Sequence, residues 1–314
     1  MENKGCGFNE WSRSLKSLPT SRNEMKLNII ELYKSENIRL PSPGRCIYCG
    51  DRRTKLRDEH IIPYALAANS MVLEKSCCET CQNVIQKYEQ EVLKKQLGIF
   101  RAQMDAPTRR PKDRPTHANL HFVEVNEETE VIKDLGIRPI SIEDAPVAIH
   151  LWQSPMPRRL RSPLSPHQEL GRPWSFVEPE CALALCRKVA AETGANHVAV
   201  KTGSVNRLHY LRSLAKTAHA FAAAQLGIDA FEPYLLDLIL CRSDDVAEFV
   251  GDDPFPSPIN GDIDSHTVQI FLGEAIGGDE QGILCARFSL YPMLGSPPHL
   301  VVVGKAKVEY AEEA

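Results

Sequence analysis

Apolar residues recur every third or fourth position after Cys78, at Val84, Ile85, Tyr88, Val92 and Leu93. This period predicts an amphipathic helix that runs to about Met104 and carries Gln82 and Asn83 in its first turn. Upstream, NEMKLNIIELYKSE over 23–36 has a similar period and predicts another helix, followed by a PSPG turn at 41–44. From residue 119 the texture changes. LHFVEV, EVIKDL and VAIHLW are short runs of strand type, and the stretch from Pro155 to Pro173 is rich in proline and basic residues with no period of its own. Helices are predicted at 178–193, 208–227 and 232–241, and strands at 266–272, 283–291 and 299–304. The sum is an α+β fold without an internal repeat, divided into a unit over 1–118 and a larger α+β unit over 119–314.

The most legible helix is RLHYLRSLAKTAHAFAAAQLG. Leu211, Leu214, Ala218, Phe221 and Gln225 line one side, while His209, Arg212, Lys216 and His219 form a basic stripe that reads as a solvated face. Gly227 is placed to end it.

Cysteine spacing adds the first chemistry. Two Cys-x-x-Cys knuckles, Cys46/Cys49 and Cys78/Cys81, stand 28 residues apart, a spacing that suits one tetrahedral zinc held by four thiolates. Cys77 competes with Cys78, yet only Cys78 gives the two-residue gap to Cys81; Cys77 then reads as a small core residue. The other cysteines, Cys6, Cys181, Cys186, Cys241 and Cys285, sit among apolar neighbours and read as buried and inert. Glu89 and Glu91 read as solvated helix positions.

Between the knuckles lies Asp58-Glu59-His60-Ile61-Ile62-Pro63. Phosphodiester hydrolysis needs a base for the attacking water and positive charge for the scissile phosphate. An imidazole titrating near neutrality suits the first task, which points to His60. A carboxylate suits a hard cation such as Mg²⁺, which points to Glu59. Neighbours on a strand face opposite ways, so Glu59 and His60 share a face only if the strand ends or bends there, and Pro63 is compatible with an end.

Residues 44–105, with these knuckles around EHIIP, resemble the HNH (ββα-metal) nuclease family. The resemblance implies a zinc-stabilised ββα-metal module that hydrolyses phosphodiesters in DNA, with His60 as general base and a catalytic divalent ion such as Mg²⁺ on Glu59 and an amide at the helix start. The residue after the last cysteine is usually Asn or His in that family; here it is Gln82, with Asn83 next. Either amide could be the ligand, or the metal site is weakened. The family's Gly-Gly after the proline is replaced by Ala67-Ala68-Asn69, and Asn69 takes the place of the middle Asn. The rival of a different class keeps the zinc fold without the chemistry, as a nucleic-acid or protein-binding module.

Charge is divided in a way that fits an anionic ligand. Residues 1–118 hold 21 Lys and Arg against 14 Asp and Glu, while the remainder holds 16 against 27. A basic surface attracts phosphate backbones whatever their sequence, so DNA, with RNA as the alternative, is the expected partner of the first unit. Arg109-Arg110-Pro111-Lys112-Asp113-Arg114 is either a plain linker or a strip that tracks that backbone. The second unit is expected to supply specificity, self-association or a protein partner. No apolar run approaches the ~20 residues of a membrane span, and the N-terminus has no apolar signal core, so a cytoplasmic location is expected.

Overall fold

A computed structural model describes residues 28–31, 38–66, 71–106, 108, 110–126, 132–254, 267–275 and 281–307. It begins with β1 (Asn28–Glu31), β2 (Ile38–Leu40), β3 (Leu56–His60) and β4 (Met71–Cys78), which lead directly into α1 (Glu79–Gln90). β4 lies between a parallel β2 and an antiparallel β3. Its pairing with β3 is bulged: Arg57 faces Cys77, but Glu59 faces Leu73. The surplus residues fall on β4 around Lys75, whose φ of 42° is left-handed. The Asp58 carboxylate accepts the Lys75 N–H at 3.0 Å, satisfying a donor that the bulge removes from the ladder.

Cys78 caps α1, its sulfur accepting from the Cys81 N–H at 3.5 Å. Cys81, Ile85 and Tyr88 form the buried face of this helix, and Val92 continues the stripe. The chain then passes through a π-helical stretch at Glu91–Gln96 and continues as α2 (Gly98–Gln103), so the segment expected to be helical to about Met104 is helical to Gln103 but broken at Leu97 and not α-helical throughout.

β5 (His117–Val125), β6 (Ile132–Ser141), β7 (Ala148–Gln153), α3 (Pro166–Leu170), β8 (Arg172–Val177), α4 (Pro179–Thr193) and β9 (Val198–Lys201) follow. β6, β5 and β9 form one small sheet, and β7 with β8 another. Ala118, Leu120 and Phe122 of β5 meet Val189 of α4 in a satellite core. The proline-rich stretch at 155–173, aperiodic in sequence, contains α3, whose start is closed by a Ser165–Gln168 capping box.

The remaining elements are α5 (Arg207–Leu226), β10 (Phe231–Pro233), α6 (Leu236–Ile239), β11 (Val250–Asp252), β12 (Thr267–Glu274), β13 (Ile283–Leu290) and β14 (His299–Ala306). The largest sheet runs in the order β1-β12-β13-β14-β10, with β11 also on β14. β13 is buried along its whole length. One continuous hydrophobic cluster takes in Cys46, Ile61 and Tyr88 from the first part of the chain, Leu214 and Phe221 of α5, and Val301 and Val303 of β14. No described helix is long and apolar enough to cross a membrane.

Four expectations are corrected. The helix predicted over 23–36 is a strand at Asn28–Glu31, because backbone pairing with β12 outweighs a short local period; the rest of that range lies outside the described residues, as does Cys6. The helix predicted over 232–241 is split into β10 and the short α6. The pairing with β14 runs through Pro233 and is carried on by Tyr234, whose N–H donates to the Val303 carbonyl at 2.9 Å, and only Leu236–Ile239 completes a helical turn. The basic stripe of α5 is not a solvated face, for Arg212, Lys216 and His219 are all buried. Gln225, expected on the apolar side, is exposed. α5 is enclosed nearly all round, and each buried cation on it needs an oxygen partner. Arg212 donates to the carbonyls of Leu238 and Ser243 at 3.0 and 2.8 Å and ion-pairs with Asp244. Tyr210 fixes the sheet side: its hydroxyl meets His299 Nε2 at 2.6 Å, and His299 Nδ1 meets Asp252 at 2.8 Å.

Candidate metal centre and the surroundings of His60

The chain brings the four predicted cysteines together. One ligand atom from each of Cys46, Cys49, Cys78 and Cys81 lies within 4.8 Å of the other three, and the Cys49 and Cys78 sulfurs are 3.6 Å apart. Sulfurs about 2.3 Å from a central zinc in a tetrahedron are separated by roughly 3.8 Å, so the quartet fits that ion. The first knuckle is held by its own backbone. Gly50 N donates to the Cys46 carbonyl at 2.9 Å, with Gly50 at a φ of 74° that a side chain would strain. Ile47 N donates to Ser76 O at 2.8 Å and ties the knuckle to β4 just before Cys77 and Cys78.

The thiols respond to one another. Cys46 is held well below the ordinary thiol range, first by the Cys77 thiol and then by that of Cys81. Cys77 and Cys81 are raised in turn, chiefly by donating to Cys46, and burial pushes Cys49 up to about 11. Cys77 is fully buried, as a core position should be. Of the remaining cysteines Cys285 is buried, Cys181 and Cys186 are half-buried, and Cys241 is exposed, a correction to the expectation that all are enclosed.

His60 closes β3. It pairs with Val72 and is half-buried, and beyond it Ile61 and Ile62 enter the core while Pro63 starts a turn whose carbonyl accepts from Leu66 N at 2.8 Å. The acids beside it diverge, as strand alternation requires. Asp58 faces Arg39, whose Nη2 lies 2.6 Å away, and the Lys75 N–H together with Arg39 holds its carboxyl below the usual range. Glu59 turns the other way and is 6% exposed. There it is ion-paired with Lys216 of α5, whose Nζ also lies 3.1 Å from Glu89 and donates to the His60 carbonyl at 2.5 Å. Burial alone would lower the Lys216 ammonium, yet Glu59 and Glu89 hold it above its ordinary value. Burial raises the Glu89 carboxyl against the opposing pull of Lys216, so Glu89 is not the solvated position its sequence suggests. Glu91, half-buried, pairs with Lys95 at 2.8 Å.

Gln82 and Asn83 lie in the first turn of α1, as expected. The Gln82 side-chain oxygen accepts from Arg57 Nη1 at 2.9 Å, while Arg57 Nη2 is 2.7 Å from Glu79; Asn83 is exposed. Asn69 lies outside the described residues, as does Arg109. The assignments missed in sequence are therefore Lys216, Glu89 and His219. His219 Nε2 donates to the Ile47 carbonyl at 2.9 Å, and burial pushes its imidazole down to about 4. The available signal was a basic stripe on a helix whose remaining faces are apolar and alanine-rich, a pattern of enclosure.

The chain matches no model of a known protein family, no curated protein and no solved structure.

Proposed function

We propose that the chain is an HNH-type endonuclease that hydrolyses phosphodiester bonds in DNA, with His60 as general base and a structural zinc on Cys46, Cys49, Cys78 and Cys81. The observation that carries this reading is the succession of the β3–β4 hairpin, a cysteine quartet and α1, with a half-buried histidine at the end of β3 where the strand gives way to a turn. Structural zinc contributes folding free energy, and here it ties the knuckle before β3 to the start of α1. His60 would take the proton of the attacking water. Arg52, Arg53 and Lys55, all exposed between Cys49 and β3, supply positive charge for a phosphate backbone.

The catalytic divalent ion implied by the resemblance does not fit the residues assigned to it. Glu59 is engaged by Lys216 and Gln82 by Arg57, so an ion on these oxygens would have to displace both cations. The same engagement favours a second reading, a zinc-stabilised nucleic-acid-binding module that does not hydrolyse its ligand.

A nicking assay on supercoiled, linear and single-stranded DNA, with Mg²⁺, Mn²⁺ or Ni²⁺ and with chelator, separates the two. The enzyme reading expects cleavage by the wild type and a loss of roughly 10²–10⁴-fold in His60→Ala, with DNA affinity, its salt dependence and zinc content unchanged. Absence of cleavage under every condition, or equal cleavage by His60→Ala, leaves the binding module in its place.

A further inference from the structure

We infer that Lys216 is the positioning residue of the His60 site, an inference that rests on the reading of His60 as the general base. The ammonium is 1% exposed and is surrounded by oxygens from two elements: the Glu59 carboxylate and the His60 carbonyl on β3, and the Glu89 carboxylate on α1. Two carboxylates turned into the same buried space repel each other, and a single cation between them makes the arrangement tolerable. The bond to the His60 carbonyl fixes the peptide that carries the imidazole. Glu59, one residue earlier, is fixed by the same atom. Lys216 therefore holds both neighbours of the motif from a helix more than 150 residues away in sequence.

A second contact from the same helix reinforces the arrangement. His219, three positions on, donates to the Ile47 carbonyl between Cys46 and Cys49. Residues three apart on a helix share a face, so α5 references the cysteine knuckle and the end of β3 to one rigid element. His60 is thus set by two anchors, the quartet at one end of the hairpin and Lys216 at the other. The second half of the chain contributes part of the site rather than sitting beside it. Lys216 acts through His60 and Glu59; being buried, it does not touch substrate.

The test uses the full, zinc-loaded chain. Lys216→Met, Lys216→Arg and Lys188→Met, an exposed control on α4, are compared for plasmid cleavage and for the imidazole resonances of His60, assigned by their loss in His60→Ala. Lys216→Met is expected to lower kcat by about 100-fold, the scale of a misplaced catalytic group, while KM stays within about twofold. The His60 resonances shift in that variant, Lys216→Arg recovers part of both properties, and Lys188→Met changes neither. A folded, zinc-loaded Lys216→Met with wild-type kcat or with unmoved His60 resonances overturns the inference. Where the wild type does not cleave, the enzyme reading fails by itself and the resonances decide this one: displaced upholds it, unmoved overturns it. Where Lys216→Met does not fold, two further measurements decide. Glu59→Gln/Glu89→Gln/Lys216→Met, which leaves no buried charge unpaired, takes its place. In the wild type, Lys216 ammonium protons must exchange more slowly than those of Lys188, and equal exchange overturns the inference.

Discussion

His219 donates through Nε2 to the carbonyl oxygen of Ile47, 2.9 Å away and 172 residues earlier in the chain. The imidazole is 1% exposed, so this bond is made in a setting where a charged ring is unfavourable. Arg45, two residues before Ile47, is ion-paired with Asp229 just beyond α5. The knuckle and α5 are fastened at both ends of this contact.

The pH dependence of stability follows from that bond. Burial holds His219 at about 4 against an ordinary 6.5. The unfolded chain therefore binds more protons across this window, so stability is complete above pH 6.5 and is lost as pH falls towards 4. At pH 5 the loss from this group is about 2 kcal/mol. Denaturant unfolding of the wild type and of His219→Gln, which keeps a donor for Ile47 but cannot charge, should diverge below pH 6.5. Parallel curves would remove His219 as the cause.

Zinc should be bound at one equivalent by protein prepared without chelator. Removing it, or changing Cys81→Ala, is expected to expose the knuckle and the first turn of α1 to hydrogen exchange before the fully buried β13. Elemental analysis checks the first point and exchange mass spectrometry the second. A zinc-free protein with wild-type protection at α1 contradicts both.

The exposed loop before β3 should set affinity without setting rate. Replacing Arg52, Arg53 and Lys55 together by alanine removes three cations and is expected to flatten the slope of log K against log salt by about 2.7 for duplex DNA. Cleavage at saturating DNA should be unaffected. Titrations at several salt concentrations measure the slope, and an unchanged slope would move the DNA-binding surface elsewhere.

Gly251 is a point where the backbone of β11 is crossed at close range by the chain after β7. A Cβ there would lie 2.0 Å from the Pro155 carbonyl oxygen and 2.8 Å from Pro157 N, both backbone atoms. Gly251→Ala should cost about 3 kcal/mol, the upper end of overpacking, because neither neighbour can rotate away. Denaturation midpoints check this, and a loss below about 1 kcal/mol would mean that the 155–157 segment yields freely.

What was legible in the sequence was local. Two knuckles with a fixed gap need no tertiary information to be read as a quartet, and the caps and periods of α4 and α5 place those helices to within a residue. The partners of the motif were not legible, because Lys216, Arg212 and His219 form the same stripe whether they face water or buried oxygens. Only the enclosure of α5 between the cysteine-bearing part and the large sheet decides between those environments. The opposite faces of Asp58 and Glu59 could be expected from alternation, but the bulge that gives Asp58 its partner at Lys75 depends on a left-handed residue with no sequence mark. At β1 the local period pointed to the wrong element, since an adjacent strand from far along the chain decides the conformation.

That adjacency has a consequence during synthesis. Asn28–Glu31 pairs with the stretch from Thr267 to Ile270, so this strand of the sheet is made more than 200 residues before its partner. At ribosomal rates the interval is on the order of tens of seconds, during which one strand edge emerges without its mate. The cysteine quartet, which spans only residues 46 to 81, can close long before. The expected order of maturation is a metal-clasped nucleus first and the large sheet last, with β1 among its final additions. Pairing across so much chain is slow, and it makes the waiting strand the place where a nascent copy is most exposed to a neighbouring chain.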